Sequence, residues 1–196
     1  MYRAVVDLVS EAAFSCSRQH DAPFLEGESH EDYDKRTWRE KCNYDAATGL
    51  VFVPAMAFKQ AMDTAAKRLA IPDPDNKRAT FTKYFVSDVI CEANLSIGVH
   101  KDQMPSITIN ANVDGVRGSG KRVRRTLPQI SSWKGATAFL IMEEKITSDI
   151  FESVLEVAGR SIGVGQFRPE KGGLNGRFSI VSVNYEVITP RAKLRR

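Results

Sequence analysis

Arg160, Arg168, Lys171 and Arg177 are interleaved with six of the chain's 13 glycines between Gly159 and Phe178. The stretch reads Gly159-Arg160-Ser161-Ile162-Gly163-Val164-Gly165-Gln166-Phe167-Arg168-Pro169 and continues Gly172-Gly173-Leu174-Asn175-Gly176-Arg177-Phe178. Glycine permits left-handed backbone and close approach of the main chain to a ligand. Exposed amides beside guanidinium groups suit a polyanion backbone better than a small neutral metabolite. Phe167, between Gln166 and Arg168, adds a ring able to stack on a base. The competing reading is a long glycine-rich connection with solvated charges, because short motifs recur by chance.

A second cationic segment lies upstream. Arg117 to Arg125 holds Lys121, Arg122, Arg124 and Arg125 and no acidic residue, behind the turn signals Asp114-Gly115 and Gly118-Ser119-Gly120. This predicts a projecting, mobile basic hairpin over about 112–132. Reversing its four cations to glutamate should then leave the melting temperature nearly unchanged. The net charge is only +4, but the first half gathers Glu26, Glu28, Glu31, Asp32 and Asp34 while the last third is basic, down to the tail 191–196. That asymmetry points to an anionic partner for the C-terminal half.

Catalytic chemistry finds less support. His20 and His30, with Asp21, Glu26, Glu28, Glu31 and Asp32, are the candidates for a metal or acid–base cluster. No HExxH pair or other close ligand spacing is present, so a solvated acidic loop is the better reading and no metal is expected. A nucleophile elbow is absent, and Gly118-Ser119-Gly120-Lys121 lacks the spacing of a phosphate-binding loop. Cys16, Cys42 and Cys91 offer no CxxC spacing and read as buried free thiols. No cofactor is implied. Trp38, Trp133, Tyr33 and Tyr84 are better explained by core packing than by base stacking.

These groups need a scaffold, and the apolar pattern supplies one. Tyr2, Ala4, Val6 and Leu8 mark a strand over 2–14, and Leu50 to Val53 a second. After Pro54, helical spacing of Phe58, Met62, Ala65 and Leu69 predicts a core-facing helix near 54–70. Strands follow over 84–99, 105–111 and 136–142. Thr147 or Ser148 then caps a helix near 148–159 with Ile150, Val154 and Val157 inward and Gly159 as its stop, before a last strand over 178–188. Phe58, Met62, Val154 and Val157 should be buried together. The order predicts one α+β domain over 1–196, an RRM-like or ferredoxin-like antiparallel sheet with two helices on one face. A polar insertion occupies about 17–49, and the second sheet face is left for nucleic acid. No apolar run is long enough to span a bilayer. Met1-Tyr2-Arg3 enters a strand rather than a signal peptide, which predicts a cytoplasmic protein.

The segment Val51-Phe52-Val53-Pro54-Ala55-Met56-Ala57-Phe58-Lys59-Gln60-Ala61 resembles the entry to the first helix in the repeat-associated (RAMP) superfamily of CRISPR-associated proteins. Those proteins also carry a glycine-rich loop after their last helix. Ala55-Met56-Ala57 stands where the family usually has Gly-Ser-Ser, as in a divergent or phage-borne member. The resemblance implies a ferredoxin-like fold and RNA binding, often as a backbone subunit polymerised along a guide RNA, with 117–125 as a thumb reaching the next subunit. Lys59, Gly163 and Gly165 then join the cations and Phe167 as the binding set. The expected function is a non-catalytic RNA or single-stranded DNA binder, alone, as a homo-oligomer or within a CRISPR-type complex. Two alternatives stay open. One is a metal-independent endoribonuclease using His20 or His30 as base with Lys35 or Arg36 against the phosphorane. The other is a protein–protein module that mimics or inhibits a CRISPR subunit.

Overall fold

Alternation in the first strand, β1 (Tyr2–Ser10), drives Ala4, Val6 and Leu8 into the core, where all three are buried. The structure is a computed structural model and describes residues 1–112, 120 and 122–188. Lys121, Arg117 and the basic tail 191–196 lie outside the described residues. Next along the chain come β2 (Phe14–Ser15), α1 (His30–Thr37), β3 (Leu50–Val53) and α2 (Ala55–Leu69). They are followed by β4 (Pro72–Asp73), β5 (Asn76–Thr80), α3 (Thr82–Asp88), β6 (Val89–Cys91) and β7 (Leu95–His100). The last elements are β8 (Ser106–Asn112), β9 (Arg122–Ile130), β10 (Lys134–Ile141), α4 (Ser148–Val157) and β11 (Phe178–Val187).

The central sheet has the strand order β11-β1-β10-β6, antiparallel throughout. The chain is thus a mixed α/β protein with antiparallel sheets and four α-helices among the described residues. α2 starts after Pro54, whose extended conformation suits a helix entry, and buries Phe58, Ala61, Met62, Ala65 and Ala66. α4 is capped by the Thr147 hydroxyl, which accepts from the Ile150 amide, and buries Phe151, Val154 and Leu155. The two helices pack on each other, and Phe58 meets Phe178 edge to face. Val157 is only half-buried and Leu69 is exposed, so Phe151 and Leu155 do the packing expected of them. Trp38 and Trp133 are core residues. Cys16 and Cys42 are buried free thiols, whereas Cys91 is half-buried. The neighbouring Cys42 thiol lowers the pKa of Cys16, and the same contact raises that of Cys42.

Three expectations are corrected. The strand expected over 84–99 begins as helix α3, because Phe81, Tyr84 and Phe85 follow helical spacing and α3 packs on α2. The polar stretch 17–49 contains α1, announced by polar signals instead of apolar ones. Ser29 accepts from the Asp32 amide, with Glu31 and Asp32 in the first turn and Lys35 and Arg36 in the last. Gly159 is not a helix stop: α4 continues into a π-helical turn over Ala158–Ile162, closed by the Gly163 amide on the Ala158 carbonyl at 2.8 Å. Gly159 is instead a packing glycine, since a Cβ there would lie 2.1 Å from the Phe178 carbonyl oxygen.

The expected mobile hairpin is also built in. β9 pairs with β8 along its length and with β2 at its end, and buries Thr126, Leu127 and Pro128. Its turn lies outside the described residues.

Candidate nucleic-acid interface

Four depressions adjoin one another, each sharing wall residues with the next. The first, about 320 Å³, lies between α2 and the glycine-rich loop, with Gln60, Asp63 and Arg168 in its walls. Through Ala57, Gly165 and Arg168 it continues into a second of about 280 Å³ beside Pro54 and Asn43. Ser17 and Gln166 lead on to a third of about 390 Å³, walled by Arg125, Phe167 and the apolar Ile109, Ala111 and Leu127. Arg18, Gln19 and His20 connect this to a fourth of about 500 Å³ beside Arg36. The result is a groove from the glycine-rich loop to the insertion.

Much of the loop's glycine content serves its own fold. Gly163, Gly165, Gly172 and Gly176 all have positive φ. A Cβ at Gly165 would lie 2.6 Å from the Phe14 ring and from the Ser15 carbonyl, and one at Gly176 1.8 Å from the Val164 carbonyl. The loop is pinned to β2 and its approach by the Gln166 amide on Ser15 (2.8 Å) and the Gly176 amide on Ala13 (2.7 Å). Gly165→Val is therefore expected to disturb folding as well as binding. Still, the amides of Gly165, Phe167 and Arg168 donate no hydrogen bond among the described residues, which leaves three donors along the groove.

The basic segment meets the acidic insertion inside the same chain. Asp34, 1% exposed, accepts from Lys41 Nζ at 2.8 Å and from Arg125 at 3.2 Å. Lys41 also donates to the Thr126 carbonyl at 3.1 Å, joining α1 to β9. Arg124 comes within 4.0 Å of Glu31, and Lys35 pairs with Glu31 at 2.9 Å. Arg36 bonds Glu28 through two nitrogens at 2.8 Å and holds its carboxyl well below the ordinary 4.5, at about 2. Reversing Arg125 to glutamate would set a second carboxylate beside a buried one, so the expectation of an unchanged melting temperature does not hold. Arg122 is exposed at the start of β9.

Other expected binders are placed elsewhere. Lys59 pairs with Asp63 and donates to the carbonyls of Phe85 (2.8 Å) and Val86 (3.1 Å), closing the end of α3. Lys59→Met is expected to lower stability by about 1.5–3 kcal/mol in a thermal melt, the range for hydrogen bonds to a charged group, while nucleic-acid titrations stay unchanged. Arg160 and Arg177 share a separate depression of about 560 Å³ with Glu11 and Glu156. Arg168 is ion-paired to Glu170 at 2.8 Å, and Lys171 lies 3.9 Å from the same carboxylate.

Matched by sequence, the chain fits no family model and no curated protein. Matched by structure, it aligns over 94% of its length with a chain described as "Cryo-EM structure of the Type III-B Cmr-beta bound to cognate target RNA", at TM-score 0.56 and 14% identity. The two share a fold. This chain spans 60% of the length of that Cmr-beta chain. A looser likeness, TM-score 0.43 at 10% identity, is to Cmr6 from Pyrococcus furiosus, with 92% of this chain and 99% of that one covered.

The structure places the two histidines against different rings. His20 Nδ1 accepts from the Ala22 amide at 3.4 Å and its ring stacks on Tyr33, whereas His30 lies edge-on to Phe24. Lys35 and Arg36 are already ion-paired. Among the described residues no group of His, Cys, Asp or Glu is placed to hold a metal ion, and no helix is long and apolar enough to cross a membrane. The open sheet face differs from a base-stacking surface. Its outward positions include Val5, Asp7, Ala136, Ala138 and Leu140, with Arg3 bonded to Glu92 at 2.6 Å and no aromatic ring. Sequence reasoning missed Ser17, Arg18, Asn43 and Gln166 as groove residues. The one available signal was Arg18, a cation just after the apolar β2, in a stretch with no apolar rhythm.

Proposed function

We propose that this chain is a non-catalytic RNA-binding subunit of the RAMP superfamily of CRISPR-associated proteins, built on a ferredoxin-like core. The strand order β11-β1-β10-β6 with α2 and α4 packed together supports that core, since a split βαβ unit generates it. The observation that carries the reading is the row of adjoining depressions, lined by the glycine-rich loop, Arg18 and Phe167. Arg18 makes no ion pair among the described residues and lies 5.6 Å over the Tyr44 ring. The Cmr-beta neighbour was solved with target RNA, which favours RNA over single-stranded DNA as the strand. A backbone-type role with copies repeating along the strand, in cytoplasmic antiviral defence, belongs to the same reading.

Titration of labelled single-stranded RNA and DNA at two salt concentrations tests it. Affinity should fall steeply with salt and depend little on sequence. Arg18→Ala should weaken binding and reduce the salt slope by about one. Absence of RNA binding by the wild-type chain at low salt would sink the reading.

A further inference from the structure

Phe167 has a left-handed backbone, φ +58°, and its ring is 38% exposed. A bulky side chain in that region is strained, and such residues gather at ligand sites. The surrounding chain imposes it: the Phe167 carbonyl accepts from the Asn175 amide at 2.9 Å, and Gly173 is packed so closely that a Cβ would lie 1.8 Å from the Phe167 oxygen. The third depression therefore has an aromatic wall held out toward solvent.

His20 lines the same depression. Its ring is backed by Tyr33, at 5.9 Å between centroids and 19° between planes, and Tyr33 is stacked on Phe24 at 3.8 Å and 10°. The three rings form a braced stack ending at the groove. The floor is apolar, from Ile109, Ala111 and Leu127. Gln166, another wall residue, has its side-chain oxygen buried with no hydrogen-bond partner among the described residues.

We propose that this depression takes a single nucleobase of the bound strand, held by the Phe167 and His20 rings, with Arg18 at the flanking phosphate. The proposal rests on the strand-binding reading of the groove and adds to it the place where a base is held. The volume, about 390 Å³, is within the range of small-ligand pockets. A stack on aromatic rings is sequence-tolerant because every base has a π-face.

The test uses the whole chain and short single-stranded RNAs in which one position at a time is abasic. With the wild-type protein, one position in the register should weaken binding about tenfold when its base is removed, the others little. Phe167→Gly should weaken binding of the intact RNA about tenfold without changing the salt slope, and should melt at the same or a higher temperature, because glycine accepts this φ without strain. The abasic penalty should vanish in that variant. His20→Ala should also lose affinity and His20→Phe should keep it. If the wild-type chain binds RNA with the expected salt slope but no abasic position and neither ring matters, the base pocket is overturned and strand binding survives. If the wild-type chain binds no RNA, both readings fall together.

Discussion

Asp34→Ala is expected to destabilise the protein by about 3 kcal/mol, the lower end for breaking a buried ion pair. The carboxylate is 1% exposed and is shared by Lys41 and Arg125, whose side chains are 13% and 28% exposed. Removing it leaves those cations in a partly desolvated site without the charge that offsets their burial. The partial exposure of Arg125 is why the lower end of the range applies. In a chain of this size the change corresponds to a drop in melting temperature of about 6–12 °C. The apolar contribution of α1 is small, its buried residues being Asp34 and Thr37, so little else holds it on β9. Amide exchange should therefore show loss of protection first in α1 and β9. Asp34→Asn keeps an acceptor of the same shape and should recover part of the loss. A shift in melting temperature no larger than that of an exposed-site substitution would show that solvent screens the cluster.

This latch also explains what could be read from the sequence and what could not. β1, α2, α4 and β11 were legible because each writes its burial as a period: Ala4, Val6 and Leu8 by twos, Phe58 and Met62 by fours, Phe178 onward by twos until the bulge opposite Asp7. α1 was not, because its two buried anchors are polar, Thr37 and a carboxylate, Asp34, whose partners lie 7 and 91 residues away. The basic segment was visible but misread for the same reason. A run of cations with no local acids looks like a surface for a polyanion, yet Arg124 and Arg125 face Glu31 and Asp34 of the insertion. Charge asymmetry along a sequence is a statement about partners only when the fold leaves the two halves apart. In the site, Phe167, Arg168 and Gly165 were legible from composition, whereas Arg18, Asn43 and Gln166 enter the groove only through the pairing of the chain after β2 with the loop.

Gly176→Ala is expected to rival the loss of Asp34. Gly176 has φ +73°, a conformation that disfavours an alanine by about 1–2 kcal/mol. Its added Cβ would also lie 1.8 Å from the Val164 carbonyl oxygen, part of the main chain, so no side-chain rotation can relieve the clash. The backbone must shift, and it is held there by two bonds, Gly176 N–H to Ala13 at 2.7 Å and Val164 N–H to the Gly176 carbonyl at 2.9 Å. Leaving one of these buried groups unsatisfied costs a further 1–3 kcal/mol or so, which brings the total to about 2–5 kcal/mol. Gly98→Ala provides the comparison: its φ is +70°, but nothing lies within 4 Å of a Cβ there, so only the conformational part should appear. Thermal melts of the two variants separate the terms. Equal shifts would mean that the loop accommodates the methyl group and is not pinned. A larger shift for Gly176→Ala would mean that glycine substitutions in this loop, Gly165→Val included, dismantle the groove wall, so that Phe167 and Arg18 are the positions where the proposed strand binding can be tested while the fold is kept.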